Sequence, residues 1–178
     1  MRTLLMASVL LVGLIGSLAA VPVPVPVPVP YRGFCGSLWL FALPCAQISS
    51  RLVQTIESFS LPGSCAECGY TLVYASPLNI RANHTSPDGL QAENVTFTLS
   101  PTTVPSGCRV SSQSVSLSFS SRLDGGLNYC NLYSLLTGSG LKFTPGFMEL
   151  TNEWACLGYS LATCRPKRAG SGPGVWMK

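Results

Sequence analysis

Charge is what this sequence has least of. Only 10% of its 178 residues are Asp, Glu, Lys or Arg, and the whole chain holds one histidine, His84. Each scarcity removes a class of chemistry. A Ser-His-Asp or Cys-His mechanism would have to use His84 as its base, and a catalytic zinc site built on several histidines lacks its ligands. A carboxylate pair for glycoside hydrolysis stays formally open, but the seven acidic residues are scattered and none stands in a recognisable setting for it. Glu149 and Glu153, spaced i and i+4, read as a solvated face. Neither an EF-hand loop nor a phosphate-binding glycine loop occurs. The expectation is a protein with no catalytic residues, no cofactor and no metal.

A basic face is also missing. The formal net charge is +4, but Arg2 lies in the leader, and Arg165, Lys167, Arg168 and Lys178 follow the last cysteine. Between residues 31 and 164 six basic residues stand against seven acidic ones, a net of −1. Nucleic-acid recognition needs a phosphate-neutralising surface, so that partner class is excluded. A second long apolar run is absent as well. A span needs about 18 to 20 apolar residues, and the nearest candidate, residues 34–46, is broken by Gly36, Pro44 and two cysteines. No hydrophobic tail suited to a lipid anchor closes the chain.

What is present begins with a leader. Arg2 supplies a positive n-region, residues 4–18 an apolar core, and Ser17, Ala19 and Ala20 the small residues before a signal-peptidase cut after Ala20. Five consecutive Val-Pro pairs occupy residues 21–30. They suit either a stiff polyproline-II spacer or a propeptide trimmed two residues at a time to leave Tyr31. The leader sends the chain into an oxidising compartment, and predicts a secreted, extracellular product.

Eight cysteines (Cys35, Cys45, Cys65, Cys68, Cys108, Cys130, Cys156 and Cys164) then favour four disulfides. They admit 105 pairings, and spacing does not choose among them. Cys65-Ala-Glu-Cys68 is the one close pair. No second close pair follows to complete a zinc ribbon, so structural disulfides are expected.

Four segments follow: residues 1–20 as signal peptide, 21–30 as the Val-Pro run, 31–164 as one disulfide-rich domain, and 165–178 as a basic, Gly/Ser-rich tail. Apolar residues at 45, 48, 52, 56 and 59 keep a 3.6-residue period and predict an amphipathic helix. Its polar face has no cationic excess, so it is read as core-packing. From Cys68 onward the period becomes two. Strands are expected over 69–74, 94–99 and 114–119, with 141–143 and 154–161 as further candidates and 128–136 open between helix and strand. In the third strand Val115, Leu117 and Phe119 are expected inside, and Ser114, Ser116, Ser118 and Ser120 on a wet, open face. The fold class is α+β and mainly β: one N-terminal amphipathic helix on an antiparallel β-sandwich or twisted sheet, braced by disulfides.

Asn83-His84-Thr85 and Asn94-Val95-Thr96 are sequons, which makes Asn83 and Asn94 candidate glycan acceptors and puts the His84 segment on the surface. Arg165-Pro166-Lys167-Arg168 fits the R-x-K-R pattern that furin-like convertases cut, after Arg168. The expected function is a non-catalytic extracellular binding module for an unidentified protein or glycan, the loops on a rigid scaffold carrying recognition. A soluble carrier of an apolar ligand and a precursor processed at residues 165–168 are the alternatives.

A signal peptide, this size, the disulfides, a sequon strand Asn94-Val95-Thr96-Phe97 and a late Trp154 then Cys156 resemble the secreted lipid-recognition domains typified by the Niemann-Pick cholesterol carrier. That resemblance implies a β-rich fold with an apolar cavity. The helix predicted over 45–59 has no counterpart in it, and no site residue is carried over.

Overall fold

The computed structural model describes residues 32–60, 68–103, 106–117 and 124–164. Eight main elements follow one another: β1 (Phe34–Phe41), α1 (Cys45–Ser58), β2 (Tyr70–Ala75), β3 (Asn79–Thr85), β4 (Ala92–Pro101), β5 (Cys108–Ser116), α2 (Leu127–Gly138) and β6 (Met148–Leu150). The strands form one six-stranded sheet in the order β2-β3-β4-β5-β1-β6, antiparallel throughout. The architecture is α+β, with a single sheet rather than a sandwich. Both helices pack against the sheet's inner face, so the layer a second sheet would supply is already filled.

The helix expected from the 3.6-residue stripe is α1, and Cys45, Ile48, Leu52 and Ile56 are all buried. It is the second element, not the N-terminal one, because β1 precedes it. Full burial of Ile48, Leu52 and Ile56 contributes about 1.5–3 kcal/mol per side chain. The helix ends at Ser58, and Phe59 covers the core beside it; Leu61-Pro62-Gly63, which the sequence offers as a helix stop, lies outside the described residues. Gly69 then enters β2 with φ of +118°, and a Cβ there would come within 2.3 Å of the Thr85 carbonyl oxygen. Only glycine fits this approach.

The fold corrects two expected strands and resolves one open stretch. Residues 141–143 form a short 3-10 turn, not a strand. Residues 154–161 are turns closed by a second 3-10 piece, with one isolated bridge between Cys35 and Cys156; Gly158 at φ +74° breaks any extended run there. The ambiguous stretch 128–136 is helical within α2. Strand β3 was not foreseen, because its inward residues (Ile80, Ala82 and His84) do not look like an apolar face.

Disulfides join the ends of this frame. Cys45–Cys108 ties the start of α1 to the start of β5, Cys35–Cys156 ties β1 to the segment after β6, and Cys130–Cys164 ties α2 to the last described residue. Cys68 is also disulfide-bonded, with its partner outside the described residues. The Cys35–Cys156 bond spans 121 residues, the case in which a cross-link most restricts the unfolded chain. Replacing both Cys35 and Cys156 by Ser is expected to cost about 2–5 kcal/mol. The check is a urea unfolding curve, in which an unchanged midpoint would refute the assignment of this bond as the main brace.

Candidate functional site

The pleat places His84 and Glu93 directly opposite each other on the inner side of β3 and β4. His84 is 4% exposed and Glu93 1%. The His84 Nδ1 to Glu93 Oε2 distance is 2.8 Å, and Asn131 of α2 donates to the same oxygen at 3.4 Å. Tyr70 stacks on His84 with ring centroids 4.6 Å apart and donates its hydroxyl to the Asn131 carbonyl at 2.8 Å. The sequon therefore leaves Asn83 exposed, but it does not bring His84 to the surface as expected. Alternate residues of a strand face opposite ways. Chemically the cluster is a closed hydrogen-bonded pin between two strands and α2.

Glu149 is held in a second cluster. Ser37 Oγ donates to Oε1 at 2.9 Å, Trp39 Nε1 donates to it at 3.0 Å, and the Tyr129 hydroxyl donates to Oε2 at 3.1 Å. Glu149 sits on β6, and Glu153 in the turn beyond, where its carboxylate accepts the Gly158 and Ser160 N–H groups at 2.8 and 3.0 Å. They share no helix face, which corrects the i, i+4 reading. Burial first, and the Glu149 carboxylate second, push the Tyr129 phenol well above its ordinary pKa. Hydrogen bonds from the Ser160 and Gly158 backbone hold Glu153 below its own.

A third cluster inverts an expectation. Ser112, Ser114 and Ser116 are buried, whereas Val115 faces outward and Leu117 is exposed. Ser114 Oγ donates to Asn128 Oδ1 at 2.6 Å, and Asn128 Nδ2 donates to Ser116 Oγ and to Asp124 Oδ2 at 2.9 and 2.7 Å. Ser112 donates to the Ser37 carbonyl at 2.8 Å. Alternation required one face of β5 to be inside; α2 made the serine face the satisfied one. Ser118, Phe119 and Ser120 lie outside the described residues.

Among the described residues no helix covers the outer side of the sheet, and here the geometry gathers the sequence's candidate modification sites. A sequon spaces its Asn and Thr by two, the period of a strand, so Asn83 and Thr85 of β3 and Asn94 and Thr96 of β4 all point outward. Asn83 and Asn94 are direct register partners. Neither side-chain amide makes a hydrogen bond among the described residues. Beside them lies a cleft of about 250 Å³ lined by Val73, Arg81, Asn83, Asn94 and Thr96. At the other side of the sheet the outer face turns apolar, with Leu38 and Leu40 of β1 beside Met148 (54% exposed) and Leu150 (49%) of β6. Sequence reasoning missed the pairing of the two sequons, because register is not written in either strand alone.

Among the described residues no group of three or more His, Cys, Asp or Glu is placed to hold a metal, and no helix is long and apolar enough to cross a membrane. Ala20, Cys65 and Arg165 to Arg168 fall outside the described residues, as does the Val-Pro run.

Two outcomes test this description. Glu93→Ala strands His84 and Asn131 in the core and is expected to cost about 3–5 kcal/mol by chemical denaturation, while the double variant His84→Leu, Glu93→Leu costs less. For Tyr129 the sign is set by linkage: its pKa is raised on folding, so its contribution is complete below about pH 10 and falls as pH rises beyond that value. Stability measured against pH should therefore decline less steeply in Tyr129→Phe than in the parent above that point, from a lower starting value.

No family model matches the chain, and no curated protein matches it. Among solved structures it is similar to CalU16 from Micromonospora echinospora at 12% identity, covering 65% of this chain and 86% of that one with a TM-score of 0.44.

Proposed function

We propose that the chain is a secreted, N-glycosylated, disulfide-braced module that acts by binding an extracellular partner and catalyses no reaction. The observation that carries this reading is how the reactive side chains are spent. The sole histidine and its carboxylate are closed off in the core, and Glu149, Asp124 and Glu153 are each held by hydrogen bonds that brace the fold. The outward surface instead presents two glycan acceptors and an apolar border. Oxidised cysteines support an extracellular setting.

The carrier reading draws less support. The space between sheet and helices, where an apolar ligand would sit, is occupied by Trp39 against Phe97 with ring centroids 5.7 Å apart, and by Leu52, Leu132 and Leu135. The precursor reading has one observation in its favour: the Cys130–Cys164 bond closes the braced body one residue before Arg165, so cleavage after Arg168 would leave every described disulfide intact.

Native mass spectrometry of the secreted, enzymatically deglycosylated protein, beside the same sample denatured but unreduced, separates these readings. The module reading expects equal masses in both conditions, with eight oxidised cysteines. An additional native-only mass of a few hundred daltons would overturn it in favour of the carrier, and a chain ending at Arg168 would favour the precursor.

A further inference from the structure

The two sequon asparagines are adjacent in a way that restricts what their glycans can do. As register partners on neighbouring strands, their Cβ atoms stand roughly 4.5–5.5 Å apart. A pyranose ring is about as wide as that gap, so two first sugars cannot both stand upright above their asparagines. One has to lie along its strand and the other has to splay away.

The surface offers a bed for one of them. The cleft of about 250 Å³ is bounded by Arg81, two residues before Asn83 on β3, and by Val73 on β2, with Thr96 across on β4. The β2–β3 register shifts between Leu72 and Tyr74, and this irregularity leaves both Val73 and Tyr74 exposed beside Arg81. Arg81 is exposed, and its guanidinium makes no hydrogen bond or ion pair among the described residues. Along a strand, residues two apart lie about 6.6 Å from each other, which a sugar ring linked to Asn83 spans. The cleft thus combines an apolar wall with free guanidinium donors, the set that an N-acetylated sugar needs for its ring face and its acetyl and hydroxyl oxygens.

We propose that this cleft is an intramolecular glycan-docking site: the innermost N-acetylglucosamine on Asn83 lies in it against Val73 and donates no freedom to solvent, while the Asn94 glycan is displaced outward and stays exposed. Both asparagines line the cleft, but Arg81 lies on Asn83's own strand and Val73 on the strand next to it, whereas Asn94 is one strand further from Val73; that selects Asn83 over Asn94. The glycan then does for this half of the outer sheet what α1 and α2 do for the inner face. This inference rests on the reading of the chain as a secreted glycoprotein.

The experiment is native digestion of the full secreted protein with peptide-N-glycosidase in heavy-oxygen water, followed by peptide mapping of conversion at each site. That enzyme must grip the innermost sugar, so a docked core is protected. Release at Asn83 is expected to be roughly fivefold slower than at Asn94, the factor that about 1 kcal/mol from one ordinary hydrogen bond supplies. Denaturation should equalise the two. Arg81→Ala, an exposed substitution, should raise the Asn83 rate to that of Asn94 and leave Asn94 unchanged, and Asn94→Gln should leave Asn83 protected. Equal native rates, an Asn83 rate indifferent to Arg81→Ala, or sugar on Asn94 alone would each overturn the docking site while leaving the glycoprotein reading intact. Sugar at neither site would overturn the glycoprotein reading itself.

Discussion

Two helices lie on the same side of one antiparallel sheet, and nearly everything else in the molecule answers to that. A pleated strand turns alternate side chains to opposite faces. With one face covered, each residue of β3, β4 and β5 is either in the core or in the open, and its neighbour in sequence has the other fate. The constraint explains how a sequon can be outward while the residues inside it, His84 and Val95, are buried. It also explains why a serine-rich strand can be part of the interior.

The interior is unusually polar on its α2 side. His84, Glu93, Asn128, Asn131, Ser112, Ser114, Ser116 and Ser134 are all buried. Unpaired, such groups would each cost on the order of 1–3 kcal/mol. Among the described residues none of their buried side-chain atoms lacks a partner, because α2 supplies Asn128 and Asn131 over the strands that need them. An apolar core tolerates some sliding, but a hydrogen-bonded seam accepts one register only. The three long-range disulfides among the described residues add to that rigidity.

Legibility in the sequence followed how much one element depends on others. Helix α1 was readable because its stripe of Cys45, Ile48, Leu52 and Ile56 is its own property. Strand β1 was not, because Leu38 and Leu40 on its outer face are as apolar as Trp39 and Phe41 inside, so no alternation marks it. Helix α2 hides its period for the opposite reason: Asn128, Asn131 and Ser134 interrupt the buried stripe of Leu132, Leu135 and Leu136. In β5 the alternation was visible and its direction was read backwards, since hydrophobicity favours Val115 inside and only Asn128 and the Ser37 carbonyl make the serines cheaper to bury.

By itself the sequence determined the compositional limits of this protein: the eight cysteines, the two sequons, the single histidine and the scarcity of charge. These are local, and need no knowledge of what folds beside them. The tertiary structure decided the rest: which cysteines meet, which face of β5 is inside, that the lone histidine is paired with Glu93, and that Asn83 stands opposite Asn94. Each is a relation between residues on different elements, set by strand register and by the helix that covers it, and no single element carries that information alone.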